Sequence, residues 1–229
     1  MIYLKDSSKW FNKMAEGYIK FKCEWIKDKP LSEEELSSIN SSRDKLYKAG
    51  LIGAYKQGPY KGVGFGNVSI RVKSMDQLKN QSNCTDQFLI TGTATGNFPV
   101  LKPEHYTSVI SFDIDENKLT CKGPIQASSE SLTHAAVYLS DASVNAVVHV
   151  HSKDLWLKLK NKFPTTSPTA EYGTSEIANE IIKLFKERKP GVTPEVMKHK
   201  LIIMGGHEDG IISFGKDIEE ATQIILNSF

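Results

Sequence analysis

Two histidines, His149 and His151, stand two residues apart in the mainly apolar, Val-rich run 144–151. Such a run predicts a buried β-strand, on which residues i and i+2 point to the same side. The two imidazoles therefore project together and suit a cation such as Zn²⁺, which in catalytic sites takes three protein ligands and keeps a position open. The alternative is a core histidine hydrogen-bonded to the backbone, beside a second histidine at the strand end.

Two more residues could complete such a site. His207 lies in the glycine-containing turn 205–210 of a predicted hairpin, so it is a candidate third ligand; an ordinary turn residue is the alternative. Glu130 falls in the first turn of a predicted helix. There it is either a carboxylate stabilised by the helix dipole or a general acid/base near the metal. His134, one turn further on, is interpreted as structural.

Two glycine-rich loops, 58–67 and 92–97, are placed beside predicted strands. Glycine lets backbone N–H groups approach an anion closely, although glycine clusters also mark plain turns. The first loop lacks the Gly-Lys-Ser/Thr ending of a P-loop, and a strand follows it where a dinucleotide fingerprint needs a helix. Nucleotide binding is therefore rejected.

Periodicity and capping residues predict the elements that position these side chains. The predicted helices are 33–48, a helix capped by Ser128 or Ser129 with Leu132, Ala135 and Leu139 inward, 152–159, a helix from Thr174 or Ser175 to 186, and a last helix opened by Asp217. The predicted strands are 68–72, 88–91, 109–114, 118–121, 200–204 and 211–214, and 75–85 is predicted to be an exposed loop.

Length and composition restrict the class of protein. The 229 residues predict a single domain, 1–229, in which 1–30 form an N-terminal extension. Lys+Arg 29 against Asp+Glu 27, without a basic stripe, argues against nucleic acid as a partner. No apolar run approaches the ~20 residues of a membrane span, so a cytoplasmic protein with no membrane partner is expected. Three cysteines without C-x-x-C spacing predict reduced thiols.

Five motifs together resemble the class II aldolase/adducin family, of the fuculose-phosphate aldolase and ribulose-phosphate 4-epimerase type. They are 66–71, 89–91 with Thr95 and Gly96, 128–130, 146–151 and 206–210, in the order of the family. The resemblance extends from about residue 33 to the C-terminus. It implies an α/β fold with three α/β/α layers around a mixed, mostly antiparallel central sheet, usually assembled as a homotetramer.

The resemblance also implies roles for individual residues. His149, His151 and His207 would bind a divalent metal, most often Zn²⁺, and Glu130 would be the acid/base. The residues implied to cradle a substrate phosphate are Gly66, Asn67, Thr95, Gly96, Ser128 and Ser129. The threonine loop aligns only with a gap, so Thr91 and Gly92 are the alternative pair. Tyr172 is a candidate for the tyrosine that assists in this family.

The implied function is that of a metal-dependent, aldolase-type lyase acting on a small-molecule substrate, a ketose phosphate or a similar hydroxy-carbonyl compound. Cleavage of a carbon–carbon bond would proceed through an enediolate stabilised by the metal as a Lewis acid. One alternative is an epimerase or dehydratase of a sugar phosphate on the same site, including a methylthioribulose-phosphate dehydratase. The other is a non-catalytic, adducin-like interaction domain. The complete ligand set favours an enzyme.

Overall fold

The computed structural model describes residues 18–72, 87–187 and 193–229. Its strands are β1 (Lys22–Lys27), β2 (Gly53–Ala54), β3 (Gly64–Phe65), β4 (Asn67–Arg71), β5 (Phe88–Thr91), β6 (Tyr106–Asp113), β7 (Lys118–Gly123), β8 (Ala146–His151), β9 (Leu201–Ile203) and β10 (Gly210–Gly215). Eight of them form one sheet in the order β1-β7-β6-β5-β4-β8-β10-β9, and β2 pairs with β3 separately. Within the described ranges, β1 and β7 are the one parallel pair of the large sheet, so the predicted mixed, mostly antiparallel sheet is confirmed.

Six α-helices cover the two faces of this sheet in the described part of the chain. They are α1 (Glu33–Lys48), α2 (Ser131–Ser140), α3 (Lys153–Leu159), α4 (Ser175–Lys186), α5 (Glu195–His199) and α6 (Ile218–Leu226). One apolar core joins α2, α4 and α5 to one face of the sheet, and a second core joins α1, α3 and α6 to the other. The predicted three-layer α/β/α fold is confirmed.

Helix ends follow the capping residues read from the sequence. Ser32 and Glu35 form a reciprocal capping box at the start of α1, which spans the predicted 33–48. The Ser152 side chain accepts a hydrogen bond from the third residue of α3, and the Asp217 side chain caps α6 in the same way. These local signals were sufficient because each cap needs no contact from elsewhere in the fold.

The start of α2 differs from the prediction. Neither Ser128 nor Ser129 caps the helix: its N-cap is Glu130, which thus precedes the first turn. The Ser128 carbonyl accepts hydrogen bonds from the backbone N–H and the hydroxyl of Ser131, so a tight turn comes before the helix. The inward placement of Leu139 is also wrong. Leu139 is 54% exposed in the last turn of α2, where Tyr138 takes the buried position instead.

Three elements were not predicted individually. The strand β1 lies within the N-terminal extension and borders the sheet, where the Trp25 indole donates to the Gly123 carbonyl. The β2–β3 ladder and α5 are too short to show a sequence period. The predicted loop 75–85 lies outside the described residues, and the limits of the predicted domain stay a prediction. No helix in the described part of the chain has the length and apolarity needed to cross a bilayer.

Candidate functional site

Three histidines converge where β8 meets the turn between β9 and β10. All six residues of β8 are buried, and the Nε2 atoms of His149 and His151 are 3.0 Å apart. The β8–β10 register places Gly210 opposite His151, which brings the preceding turn and His207 beside the pair. One ligand atom from each histidine lies within 4.8 Å of the others. The structure therefore brings together the three side chains that the sequence singled out as metal ligands.

The donor set fits a divalent cation. Two nitrogens bound to one tetrahedral Zn²⁺ lie about 3.3 Å apart, close to the separation of the His149 and His151 Nε2 atoms. Burial, followed by the neighbouring His151 and His207, lowers the pKa of His149 well below its ordinary value. This imidazole is therefore neutral at physiological pH, with a lone pair for a metal. A buried set of three imidazoles and no carboxylate would leave a bound cation doubly positive.

Tyr55 orients one of the candidate ligands. Its hydroxyl lies 2.9 Å from Nδ1 of His151, and the Phe65 ring stacks on the same imidazole at a centroid distance of 5.1 Å. A hydrogen bond at Nδ1 and a ring contact on the imidazole face fix the orientation of Nε2. Tyr55 follows β2 and Phe65 ends β3, so the small two-stranded ladder contacts the candidate metal site directly.

Two glycines allow the turn that carries His207 to sit against the loop 164–173. A Cβ atom on Gly205 would lie 2.1 Å from the Thr166 carbonyl oxygen, and one on Gly206 would lie 2.1 Å from the Ala170 carbonyl oxygen. Both contacts are impossible for any residue with a side chain. Glycine is therefore required here for close approach of two backbones, and this approach fixes the position of His207.

The same loop places Tyr172 on His207. The two rings stack at a centroid distance of 4.7 Å, and Tyr172 is 8% exposed. A cavity of about 370 Å³ opens beside this stack. Its lining includes Tyr55, Tyr60, Tyr172, Lys20, Lys153 and His207. The tyrosine proposed from the sequence as an assisting residue thus borders the histidine cluster within the same chain.

Glu130 lies next to the histidines and is 2% exposed. Its Oε1 atom is 3.5 Å from Nδ1 of His207, and its Oε2 atom accepts a 2.6 Å hydrogen bond from the Thr133 hydroxyl. The Thr133 contact holds the carboxylate with Oε1 toward the cluster. The N-cap position of α2 therefore aims a carboxylate at the candidate metal site.

The six residues implied to cradle a phosphate also come together. Gly66, Asn67, Thr95, Gly96, Ser128 and Ser129 line a narrow cavity of about 20 Å³, which Gly92, Glu130 and His149 also border. Thr91, the alternative to Thr95, instead accepts a hydrogen bond from the Val68 N–H within the sheet. The Thr91 side chain is thus used within the sheet, whereas Gly92, Thr95 and Gly96 all border the cavity.

Arg43 supports the loop 92–97 from the side away from the cavity, a role that was not predicted. Arg43 is 2% exposed, and its guanidinium donates to the carbonyl oxygens of Pro99 and Gly96 at 3.0 Å each and of Thr95 at 3.4 Å. Burial lowers the pKa of Arg43. Its carbonyl partners are distant in the chain, so no local pattern marks Arg43 as a support of this loop.

His134 is not a member of the histidine cluster and has a different hydrogen-bond partner. It is fully buried, its Nδ1 atom is 2.7 Å from the Ser69 hydroxyl, and that hydroxyl also contacts the Tyr138 hydroxyl at 2.7 Å. Burial lowers the pKa of His134 to about 3. Its surroundings agree with the structural role inferred from the sequence.

Comparisons with known proteins were made on sequence and on structure. The family described as Class II Aldolase and Adducin N-terminal domain matches residues 54–227. No curated protein matches the sequence significantly. An L-fuculose 1-phosphate aldolase structure aligns at a TM-score of 0.58 and 18% identity, covering 86% of this chain and 82% of that one. YgbL from Escherichia coli, titled a putative aldolase/epimerase/decarboxylase, aligns at a TM-score of 0.54 and 16% identity, covering 85% and 84%. YgbL from Klebsiella pneumoniae aligns at 0.54 and 19%, covering 86% of both chains.

Proposed function

The chain belongs to the class II aldolase and adducin family, and from this premise we propose that it is a metal-dependent lyase of the aldolase type. It would cleave a carbon–carbon bond in a ketose phosphate or a similar hydroxy-carbonyl substrate. The observation that carries the proposal is the buried cluster of His149, His151 and His207 with the Glu130 carboxylate beside it. A set of three histidines next to a carboxylate is suited to a Lewis acid working with a proton carrier.

The three histidines would hold the metal, for which we propose Zn²⁺. Their donor atoms are nitrogen, the set has three members, and His207 borders the 370 Å³ cavity through which a substrate can reach the remaining position. When bound, the cation would polarise adjacent hydroxyl and carbonyl oxygens of the substrate, which favours formation of an enediolate.

Glu130 would remove or deliver the proton. Its Oε1 atom faces the histidine cluster, and the Thr133 hydroxyl bonded to Oε2 keeps the carboxylate from rotating. Burial excludes bulk water from this carboxylate, so a proton it takes from the substrate is retained near the reacting carbon. This placement supports general acid/base catalysis by Glu130.

The proposed phosphate cradle uses neutral groups. Glycines at 66 and 96 let backbone N–H groups approach an anion, and the hydroxyl groups of Ser128 and Ser129 add donors. The Thr95 hydroxyl donates to the Gly92 carbonyl at 2.8 Å, so a phosphate would have to replace that hydrogen bond to use it. The cavity has room for about one water molecule. A phosphate would therefore require the loop 92–97 to move away from β3, and Arg43 links that loop to α1.

Two other functions use the same residues. Epimerisation by cleavage and religation, or dehydration of a sugar phosphate, would need the same histidines and the same proton carrier. A non-catalytic, adducin-like role is disfavoured by the complete set of three buried histidines with Glu130.

We further propose assembly as a homotetramer, which light scattering would test. A cytoplasmic location stays a prediction from the sequence.

Metal analysis combined with a substrate panel tests the proposal. Protein purified without chelator should carry about one Zn²⁺ per chain, and a His149→Ala/His151→Ala variant should carry none. The metal-loaded protein should then be assayed for cleavage of ketose phosphates and for condensation of aldehydes with dihydroxyacetone phosphate. Metal-free wild-type protein would contradict the proposal. Metal-loaded protein that only epimerises or only dehydrates a sugar phosphate would establish the epimerase or the dehydratase alternative.

A further inference from the structure

Lys20, which precedes the family-matched residues 54–227, reaches the cavity beside the histidines. Its ammonium lies 3.7 Å from the centroid of the Tyr172 ring, and Tyr172 in turn stacks on His207. The Lys20 side chain is 16% exposed, so most of it is covered by protein. The Lys20 ammonium is thus separated from the candidate metal ligand His207 by one aromatic ring, that of Tyr172.

The backbone around Lys20 is held on both sides. Its carbonyl accepts a 3.1 Å hydrogen bond from the Asn117 side chain, and the Lys22 N–H donates to the Asn117 carbonyl at 2.9 Å. The position of a Cβ atom on Gly173 would be 3.8 Å from the Lys20 Cβ atom, so the loop next to Tyr172 also contacts this residue. The ammonium is therefore directed by the fold toward the Tyr172 face.

The ammonium keeps donors for a ligand. A lysine has three N–H donors, and among the residues that the structure describes the hydrogen bond to Glu171 at 3.3 Å takes one of them. The Glu171 side chain is 62% exposed, and ion pairs of this kind contribute little free energy. A substrate anion that enters the cavity can therefore bind Lys20 or replace Glu171 at modest cost.

The remaining charges on the cavity wall favour an anion of low charge. Glu171, Glu208 and Asp209 line the cavity together with Lys20 and Lys153. Lys153 is 61% exposed and forms its own ion pair with Glu208 at 2.9 Å. The three carboxylates repel any anion, and they repel a phosphate dianion about twice as strongly as a carboxylate, which carries one charge.

We propose that Lys20 is a specificity-determining residue that recognises a carboxylate on the end of the substrate that extends into the 370 Å³ cavity, away from the phosphate cradle. The inference rests on the proposed function, because the histidine cluster must first hold the metal that anchors the substrate. It narrows the substrate class to hydroxy-carbonyl compounds with an acidic far end.

Hydroxamates allow anchoring at the metal to be separated from recognition of the carboxylate by Lys20. A hydroxamate chelates a divalent metal whatever group its other end carries. The probes are the monohydroxamates of succinic and glutaric acid, each paired with the neutral analogue whose terminal carboxylate is a carboxamide. Their dissociation constants are measured by calorimetry on the Zn²⁺-loaded wild-type protein, on Lys20→Met and Lys20→Arg, and on Lys22→Met as a control. Lys22 is an exposed lysine in the same segment.

Wild-type protein and Lys22→Met should bind at least one acid about tenfold more tightly than its amide, as expected for one charge-assisted hydrogen bond. Lys20→Met should bind acid and amide equally while keeping its affinity for the amide, and Lys20→Arg should keep a preference for the acid. Equal binding of acid and amide by the wild-type protein would overturn the role of Lys20 and leave the metal site intact. Failure of every probe to bind the Zn²⁺-loaded protein would overturn this inference together with the proposal that the metal keeps a position open to a substrate.

Discussion

The hydroxyl of Tyr55 lies 2.9 Å from Nδ1 of His151, while Nε2 of the same ring faces Nε2 of His149 at 3.0 Å. The two nitrogens of one imidazole thus have separate partners. When Nδ1 donates its proton to the Tyr55 oxygen, the lone pair of Nε2 is directed at the position of a metal. Tyr55 would therefore act on the candidate metal site through His151.

Replacing Tyr55 with phenylalanine tests this relationship. The Tyr55→Phe variant keeps the ring contacts with Phe65 but loses the hydroxyl. We expect Zn²⁺ affinity to fall by about 10- to 100-fold, the usual effect of removing an outer partner of a metal-binding histidine. Competition with a chromophoric chelator measures the affinity. Tyr18→Phe, which removes a hydroxyl from a 58% exposed tyrosine, is the control, and unchanged affinity in Tyr55→Phe would contradict the role of Tyr55.

Glu130→Gln should separate metal binding from turnover. Glutamine has nearly the same volume and can still accept the hydrogen bond from Thr133, so the fold and the histidine cluster should persist. We expect the metal content to be unchanged and kcat to fall by about 10²- to 10⁴-fold, because the amide neither takes up nor releases a proton near neutral pH. Glu116→Gln, in an exposed turn, should retain full activity. Full activity in Glu130→Gln would remove Glu130 from the mechanism.

Gly206→Ala should displace the Tyr172 loop from the turn of His207. The added Cβ atom would lie 2.1 Å from the Ala170 carbonyl, so one of the two backbones must move. We expect a loss of about 1–3 kcal/mol in the free energy of unfolding, together with weaker Zn²⁺ binding. Urea denaturation and chelator competition measure the two effects. Gly53→Ala is the matched control, since its Cβ atom would have an ordinary 3.5 Å contact with Phe65.

His134 should make stability depend on pH. Its pKa is about 3 in the fold against an ordinary value of 6.5, so the unfolded chain binds the proton more readily. Its contribution is complete above pH 6.5 and is lost as the pH falls from 6.5 toward 3. Between pH 7.5 and 5.5, metal-free wild-type protein should lose about 1.4 kcal/mol more unfolding free energy than His134→Gln. Equal losses in urea denaturation would show that His134 is protonated equally in both states.

Parts of this molecule that depend on local sequence were predictable. The 33–48 helix carries its own capping box, and the alternation of Val and His in β8 defines both its burial and the shared direction of His149 and His151. The three-layer fold and the family followed from the order of the motifs. In these cases the signal lies within a few consecutive residues, which is the range over which caps and strand periods act.

Features that depend on long-range contact could not be predicted. Arg43 appears on a helix as an ordinary polar residue, and only the fold shows that the carbonyls of the loop 92–97 cover it. Lys20 and Tyr172 are far apart in the chain, so nothing local marks their contact. The N-cap of α2 was predicted wrongly, because a serine before a helix is typical of an N-cap, whereas Ser128 here belongs to a tight turn before the helix.

The histidine cluster joins two distant parts of the chain, since His151 ends β8 and His207 precedes β10. A cation held there would close the long loop that contains α3, α4 and α5, much as a cross-link does. The cation would bind the three histidines only when the fold brings them together, so metal occupancy and the folding of this region become thermodynamically linked. Adding a chelator should therefore expose the lysine-rich segments of this loop to trypsin before it affects the remainder of the sheet.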